Sequence, residues 1–382
     1  MLRLADGTTR CAPKGSHPNH DTNCHVGYSA RCHPGPFGSA QGKPRERVPA
    51  SAGAALVVPH LNTEGVVLSG TGGVWRVLRD DDASTVEASL RGRVKKSNSG
   101  KRADGSLRRD TISSAAHTLK LAVGDRVVLE QDDPGDAWAI AEILPRRSRL
   151  ARRAPGGGHG ERVVAANVDQ VVVVFAAANP EPHPRMLDRF LVIAEANDLS
   201  ARIVINKVEL VGGVEAARAR WTDYERAGYT MHYTSVKQRE GLEQLHDALA
   251  GVVSVLTGPS GVGKSSLMNA MFEGLDLRVG EISESVNKGR HTTVGALLHP
   301  LPGGGFVADT PGLREVGMWA LSPTELDQCF PELRPFLDRC RFADCRHSVE
   351  PACAVRDAVS RGDVSSARYD SFMKLRDELE GI

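Results

Sequence analysis

Residues 252–266 read Val252-Val253-Ser254-Val255-Leu256-Thr257-Gly258-Pro259-Ser260-Gly261-Val262-Gly263-Lys264-Ser265-Ser266, and Leu267 to Phe272 continue at helical spacing. An apolar run thus leads straight into G-x-x-x-x-G-K-[ST] and then into a helix, the context that distinguishes a phosphate loop from a chance cluster of glycines. Such a loop turns successive backbone N–H groups toward one anion, and the helix that follows adds its partial positive charge. Gly258, Pro259, Ser260, Gly261, Val262, Gly263, Lys264, Ser265 and Ser266 are therefore the candidate phosphate contacts. Lys264 is expected to reach the β and γ phosphates of a nucleoside triphosphate, and the Ser265 hydroxyl to ligate Mg²⁺.

Working downstream, 306–308 is a further strand, ending in Asp309-Thr310-Pro311-Gly312. A carboxylate there can hold the Mg²⁺ shell through water, and the Gly312 N–H can face a γ-phosphate. Between lies Gly289-Arg290-His291-Thr292-Thr293, where Thr293 is placed to ligate Mg²⁺ only when a γ-phosphate is present. Leu313 stands where many such hydrolases carry a catalytic glutamine, so His291 is the candidate that positions the attacking water.

Upstream, the apolar run 171–175 reads as a buried parallel strand, 184–197 as a helix, and 202–205 as another strand ending in Asn206-Lys207-Val208-Glu209. This is close to N-K-x-D, whose carboxylate accepts the guanine N1 and exocyclic amine hydrogens and so rejects adenine. Glu209 keeps the carboxylate one methylene longer. Ser235, in Thr234-Ser235-Val236-Lys237, is placed to add a backbone contact to the base. The whole alternates strand and helix, a doubly wound α/β domain over 151–320.

Ahead of it, five short strand-like runs (65–69, 74–79, 85–90, 126–130 and 138–143) are separated by turn signals, which predicts a small β-barrel of the OB type over 61–150. Two basic clusters flank its last strands: Arg91, Arg93, Lys95, Lys96, Lys101, Arg102, Arg108 and Arg109, then Arg146, Arg147, Arg149, Arg152 and Arg153. Few acids accompany them, a pattern that suits contact with a nucleic-acid backbone. Pro155-Gly156-Gly157-Gly158 reads as a linker.

The last segment, 321–382, is short and mostly helical, opening on the capping-box word Ser322-Pro323-Thr324-Glu325. Cys340, Cys345, His347 and Cys353 can supply a closed S₃N set to one structural Zn²⁺, the kind of staple so small a unit needs. Cys329 lies outside that pattern and is expected to pack. Residues 1–60, rich in Gly, Pro, Ser, Ala and His, read as a disordered tail whose cysteines and histidines match no ligand spacing.

The 382 residues carry a net charge of only +1, so local clusters rather than global charge must decide any nucleic-acid affinity. No run is apolar enough to span a membrane, the N-terminus lacks a secretory signature, and seven cysteines do not make a disulfide framework. A cytoplasmic monomer is the expectation.

In chain order the base motif (206) precedes the phosphate loop (258), the switch threonines (292–293) and D-T-P-G (309). That order resembles the circularly permuted GTPases. Within them the sequence resembles the ribosome small-subunit-dependent GTPase A (RsgA) family, through Ala166-Asn167-Val168-Asp169-Gln170, Leu187-Asp188-Arg189-Phe190-Leu191, the phosphate loop, Gly289–Thr293, Asp309-Thr310-Pro311-Gly312-Leu313-Arg314-Glu315 and the Cys/His word. The resemblance covers about 64–382, departing at Glu209 and in the long N-terminal extension. It implies a GTPase that binds the small ribosomal subunit and its rRNA late in maturation, with turnover stimulated by the subunit. The alternatives are an RNA-binding module whose nucleotide site is regulatory, and a metabolic P-loop kinase, which the D-T-P-G word disfavours.

Overall fold

The computed structural model describes residues 61–91, 120–132, 135–153, 161–275, 277, 296–309 and 321–381. The tail, the basic stretch 92–119, His291, Thr293 and Gly312 lie outside them.

Strands β1 (Leu61–Thr71), β2 (Val74–Arg79), β3 (Thr85–Leu90), β4 (Arg126–Gln131) and β5 (Trp138–Ile143) close into a barrel in the order β1-β2-β3-β5-β4, with β4 returning to β1. All pairings are antiparallel except β3 with β5. Alternation fixes which face turns inward: Val127 and Leu129 on β4 meet Val67, Val77, Ala88 and Ile140 in the barrel core.

Where the glycine-rich stretch suggested only a linker, a hairpin flanks it: β6 (Arg149–Arg153) pairs antiparallel with β7 (Glu161–Ala166). The reason is Leu150, the one aliphatic residue in the second basic cluster apart from Ala151. It is fully buried beside Ala165 in the main core.

The second sheet has the order β10-β9-β8-β11-β13-β12. Its elements are β8 (Gln170–Ala176), α1 (Pro184–Glu195), β9 (Ser200–Asn206), α2 (Val214–Arg226), β10 (Thr230–Thr234), α3 (Leu242–Leu249), β11 (Val253–Thr257), α4 (Lys264–Met271), β12 (Leu297–Pro300) and β13 (Phe306–Asp309). Only the edge pair β12–β13 is antiparallel. Every residue of β8 is buried: Val171, Val173 and Phe175 enter one core layer, and Val172, Val174 and Ala176 the other. A strand covered by helices on both faces must read as an apolar run, and after Gln170 this one does, from Val171 to Ala176.

After β13 come a 3-10 turn at Asp327–Cys329 and the helices α5 (Arg334–Leu337), α6 (Ala354–Arg361) and α7 (Ser366–Glu380). The capping-box word does not start an α-helix. Its reciprocal bond forms, Ser322 N–H to Glu325 Oε2 at 3.2 Å, but the chain runs on through turns into the 3-10 segment. Leu326, Phe330, Leu333, Val355, Phe372 and Leu375 make the core of this unit, and Val192 of α1 is part of it. Helix α1 is therefore shared, with Leu187, Phe190, Leu191 and Ala194 on the sheet and Val192 in the C-terminal core.

Candidate functional site

The phosphate loop joins β11 to α4 at the carboxyl edge of the sheet, where open α/β folds bind ligands. Two of its glycines are fixed by space as well as by backbone angle. Gly258 has φ +132°, and a Cβ there would fall 2.0 Å from the Val174 carbonyl oxygen. Gly263 has φ +97°, and its Cβ would fall 2.5 Å from Asn206 Nδ2. Lys264 is buried, and its ammonium donates to the carbonyls of Gly258 at 2.9 Å and Pro259 at 2.7 Å. Ser265 is buried in the first turn of α4.

The base motif ends β9 on the same edge and is bonded to this loop. Asn206 Nδ2 donates to the Val262 carbonyl at 2.9 Å, and its Oδ1 accepts from the Thr234 hydroxyl at 3.1 Å. Lys207, in the left-handed region at φ +63°, donates through Nζ to the Gly261 carbonyl at 2.7 Å and to the Asn179 carbonyl. Val208 sends its side chain into the sheet core, so only its backbone is available to a ligand. Glu209 lies in a 3-10 turn (Val208–Val211), and its Oε2 is buried with no hydrogen-bond partner. Ser235, fully buried, exchanges backbone bonds with Glu240, and its hydroxyl accepts from the Gln238 N–H at 3.0 Å.

Asp309 ends β13 opposite Leu256, one strand away from the loop. Residues 206–209, 235, 258–266 and 309 thus gather along one sheet edge. His291, Thr293 and Gly312 lie outside the described residues. Sequence reading missed Asn179 and Pro180, which belong to no word, and gave Thr234, part of the Thr234–Lys237 word, no side-chain role although its hydroxyl bonds Asn206. Their roles depend on carbonyl and hydroxyl positions set by the neighbouring strands.

The second cluster is in the C-terminal unit. Cys340, Cys345, His347 and Cys353 place one ligand atom each within 4.8 Å of the others, a group able to hold a metal ion. His347 Nδ1 lies 3.4 Å from Cys353 Sγ and 3.6 Å from Cys340 Sγ, and those two sulfurs are 4.0 Å apart. A tetrahedron with metal–sulfur bonds of the zinc length has edges of about 3.8 Å. His347 Nε2 faces Asp327 Oδ2 at 3.4 Å, the carboxylate that orients a ligating imidazole. Glu350 accepts N–H bonds from Arg346, Ser348 and Val349, shaping the loop between the ligands, and these hold its carboxyl down at about 2 against the opposing effect of desolvation. Cys329 packs in the core, where burial pushes its thiol up to about 12.

Among the described residues, three arginines of the basic clusters are less free than the sequence suggests. Arg91 pairs with Glu130 and Asp132, Arg146 with Asp125, and Arg147 with Asp169. Their partners lie across the barrel and at its junction with the sheet, where spacing along the chain gives no warning of them.

A phosphate loop bonded to a base motif that precedes it in the chain, on one sheet, defines a circularly permuted P-loop nucleotide-binding protein. The family model described as RsgA GTPase matches residues 143–319. A small ribosomal subunit biogenesis GTPase RsgA of Gemmatimonas aurantiaca is 59% identical over 321 residues, 84% of this chain and 98% of that protein. Among solved structures, YjeQ from Thermotoga maritima aligns at TM-score 0.66 and 32% identity over 84% of this chain and 100% of that one. YloQ, described as a circularly permuted GTPase, aligns at TM-score 0.62 and 27% identity, covering 84% of this chain and 96% of its own. The chain belongs to the RsgA GTPase family and is a GTP hydrolase.

Proposed function

We propose that the chain holds GTP with its base between Asn206, Lys207, Val208, Glu209 and Ser235 and its phosphates over residues 258–266. The observation that carries this reading is Glu209 Oε2, buried and unpartnered beside an Asn206–Lys207 pair bonded to the phosphate loop. A buried carboxylate oxygen without a donor is costly. Guanine brings two N–H donors to that position, whereas adenine presents an acceptor at N1. Lys264 and the loop N–H groups take the phosphates, Ser265 and Thr293 hold Mg²⁺ with Asp309 in its outer shell, the Gly312 N–H faces the γ-phosphate, and His291 positions the water. When bound, Mg²⁺ neutralises charge on the β and γ phosphates.

The same reading gives the four residues Cys340, Cys345, His347 and Cys353 one structural Zn²⁺. Burial pushes the Cys345 thiol up to about 12, so three thiolates in this space need a cation among them. Four protein ligands leave no open position, and the ion stabilises the fold rather than acting on substrate.

The partner is the small ribosomal subunit with its rRNA, during late maturation in the cytoplasm, with the chain acting as a monomer and the subunit accelerating turnover. The name of the Gemmatimonas relative and the basic stretch on 93–109 support this, and no helix among the described residues is long and apolar enough to cross a membrane. The test is GTP turnover with and without purified small subunits. A several-fold acceleration is expected. Equal rates at saturating subunits favour an RNA-binding module whose nucleotide site is regulatory.

A further inference from the structure

We propose that Arg368 of α7 is a positioning residue for the nucleotide site, acting through Asp188 and helix α1. The proposal rests on the nucleotide reading above and assigns a role to the Leu187–Leu191 segment, which that reading leaves unused.

Arg368 is 3% exposed, in a part of the molecule remote in sequence from every nucleotide motif. Its guanidinium pairs with Asp188 Oδ1, itself buried, and with Glu332 through Nε to Oε1 at 2.6 Å. It lies over the Tyr224 ring at 5.0 Å and the Phe330 ring at 4.7 Å. The Tyr224 hydroxyl donates to Asp188 Oδ1 at 2.8 Å. One guanidinium therefore fixes α1 through Asp188, α2 through Tyr224 and the C-terminal unit through Glu332. Arg189, next in the chain, pairs with Glu378 of the same α7.

A buried ion pair is a poor device for stability alone, because well-packed apolar residues of similar volume serve as well or better. What it adds is a fixed orientation, and both helices it orients begin at the nucleotide site. Asp188 lies about 6 Å along the helix axis from Pro184, the first residue of α1. The residues just before Pro184 contact both motifs. The Ala177 N–H donates to the Asn206 carbonyl at 2.7 Å, the Asn179 carbonyl accepts from Lys207, and a Cβ at Gly261 would fall 3.9 Å from Pro180 Cδ. Helix α2 follows the turn that carries Glu209, and its Arg220 donates to the Ala177 carbonyl at 3.3 Å. A shift of α1 on α7 would displace the Asn179 carbonyl from Lys207, and with it the seat of the phosphate loop. Nucleotide that orders this seat must by linkage also restrain α7.

The test is hydrogen exchange of the full chain with and without GDP, read at the α7 amides around Arg368, together with GDP affinity. In the wild type, GDP should slow exchange there on the order of fivefold. Asp188→Asn keeps the shape and hydrogen-bonding capacity but removes the charge. It should weaken GDP binding on the order of fivefold and abolish the GDP-dependent slowing, with cooperative thermal unfolding retained. Arg368→Lys should keep more of both than Arg368→Met. Exchange at α7 that ignores GDP in the wild type overturns the proposal, even if no variant folds. So does Asp188→Asn with wild-type affinity and wild-type slowing. A wild-type chain that fails to bind GDP at all overturns the nucleotide reading instead.

Discussion

The Asn206 carboxamide is bonded at both ends, to the Val262 carbonyl at 2.9 Å and to the Thr234 hydroxyl at 3.1 Å, so it ties the phosphate loop to strands β9 and β10. Asn206→Ala leaves a buried carbonyl without its donor, at a cost of about 1–3 kcal/mol. The expected outcome is GDP binding weakened by about tenfold or more, in a titration with a fluorescent GDP analogue. Asn206→Asp should be worse, because it sets an acceptor against the Val262 carbonyl. Wild-type affinity in the aspartate variant would show that the tie does not support the site.

Lys264 is buried and bonded to two carbonyls of its own loop. Lys264→Ala removes the loop's internal tie and, on the proposed reading, the cation that meets the γ-phosphate. Turnover should fall by about 10²-fold or more. GTP hydrolysis persisting at the wild-type rate would remove Lys264 from the reaction.

At Glu209 the unpartnered Oε2 makes opposite demands on two substitutions. Glu209→Asp keeps the carboxylate and should hold or improve GDP affinity. Glu209→Ala should lower it and narrow the gap between GDP and ADP, since on the proposed reading this carboxylate is the group that rejects adenine. Calorimetry with both nucleotides decides it, and an alanine variant that still excludes ADP as strongly as the wild type would place the discrimination elsewhere.

These sites were legible to the extent that their chemistry is local. The phosphate loop needs consecutive N–H groups, and the Cys/His word needs four donors close in the chain, so both appear as short patterns. The shared helix α1 was legible only in half. Leu187, Phe190, Leu191 and Ala194 mark its sheet face, but Val192 gives no sign that it enters the C-terminal core. Asp327 behind His347 is likewise invisible, since an orienting carboxylate has no fixed spacing. The partners of Arg146 and Arg147 come from across a barrel and a strand junction, which is why a run of arginines looked freer than it is.

Because Val192 belongs to the C-terminal core, loss of metal should be felt beyond residue 321. Chelation, or Cys345→Ser, should speed hydrogen exchange across 321–381 and also in α1. On the proposed zinc reading the ion must displace protons from the three thiols, the half-buried Cys345 among them with its thiol held at about 12, so apparent zinc affinity should rise with pH and uptake should acidify an unbuffered sample. Exchange in α1 unchanged by chelation would show that the C-terminal unit holds without the metal or melts alone.

The two basic clusters should answer differently to charge reversal, on the reading that the small subunit is the partner. Arg146 donates to both oxygens of Asp125, at 2.6 and 2.8 Å, and Asp125 is fully buried with its Oδ2 also accepting the Ala122 N–H at 2.7 Å. Arg146→Glu leaves that carboxylate unpaired and adds a second beside it, so the expected effect is a loss of about 3–5 kcal/mol of stability. Weakened subunit binding in such a variant would say nothing about an RNA contact. Arg93, Lys95 and Lys96 belong to the stretch where Asp104 is the only acid before Asp110, and they make the sharper test. Reversing these three should weaken binding to small subunits without lowering the melting temperature or GDP affinity. If each meets one phosphate, the slope of log affinity against log salt should become shallower by about two to three. Binding and slope both unchanged in a stable triple variant would take the subunit contact away from this stretch.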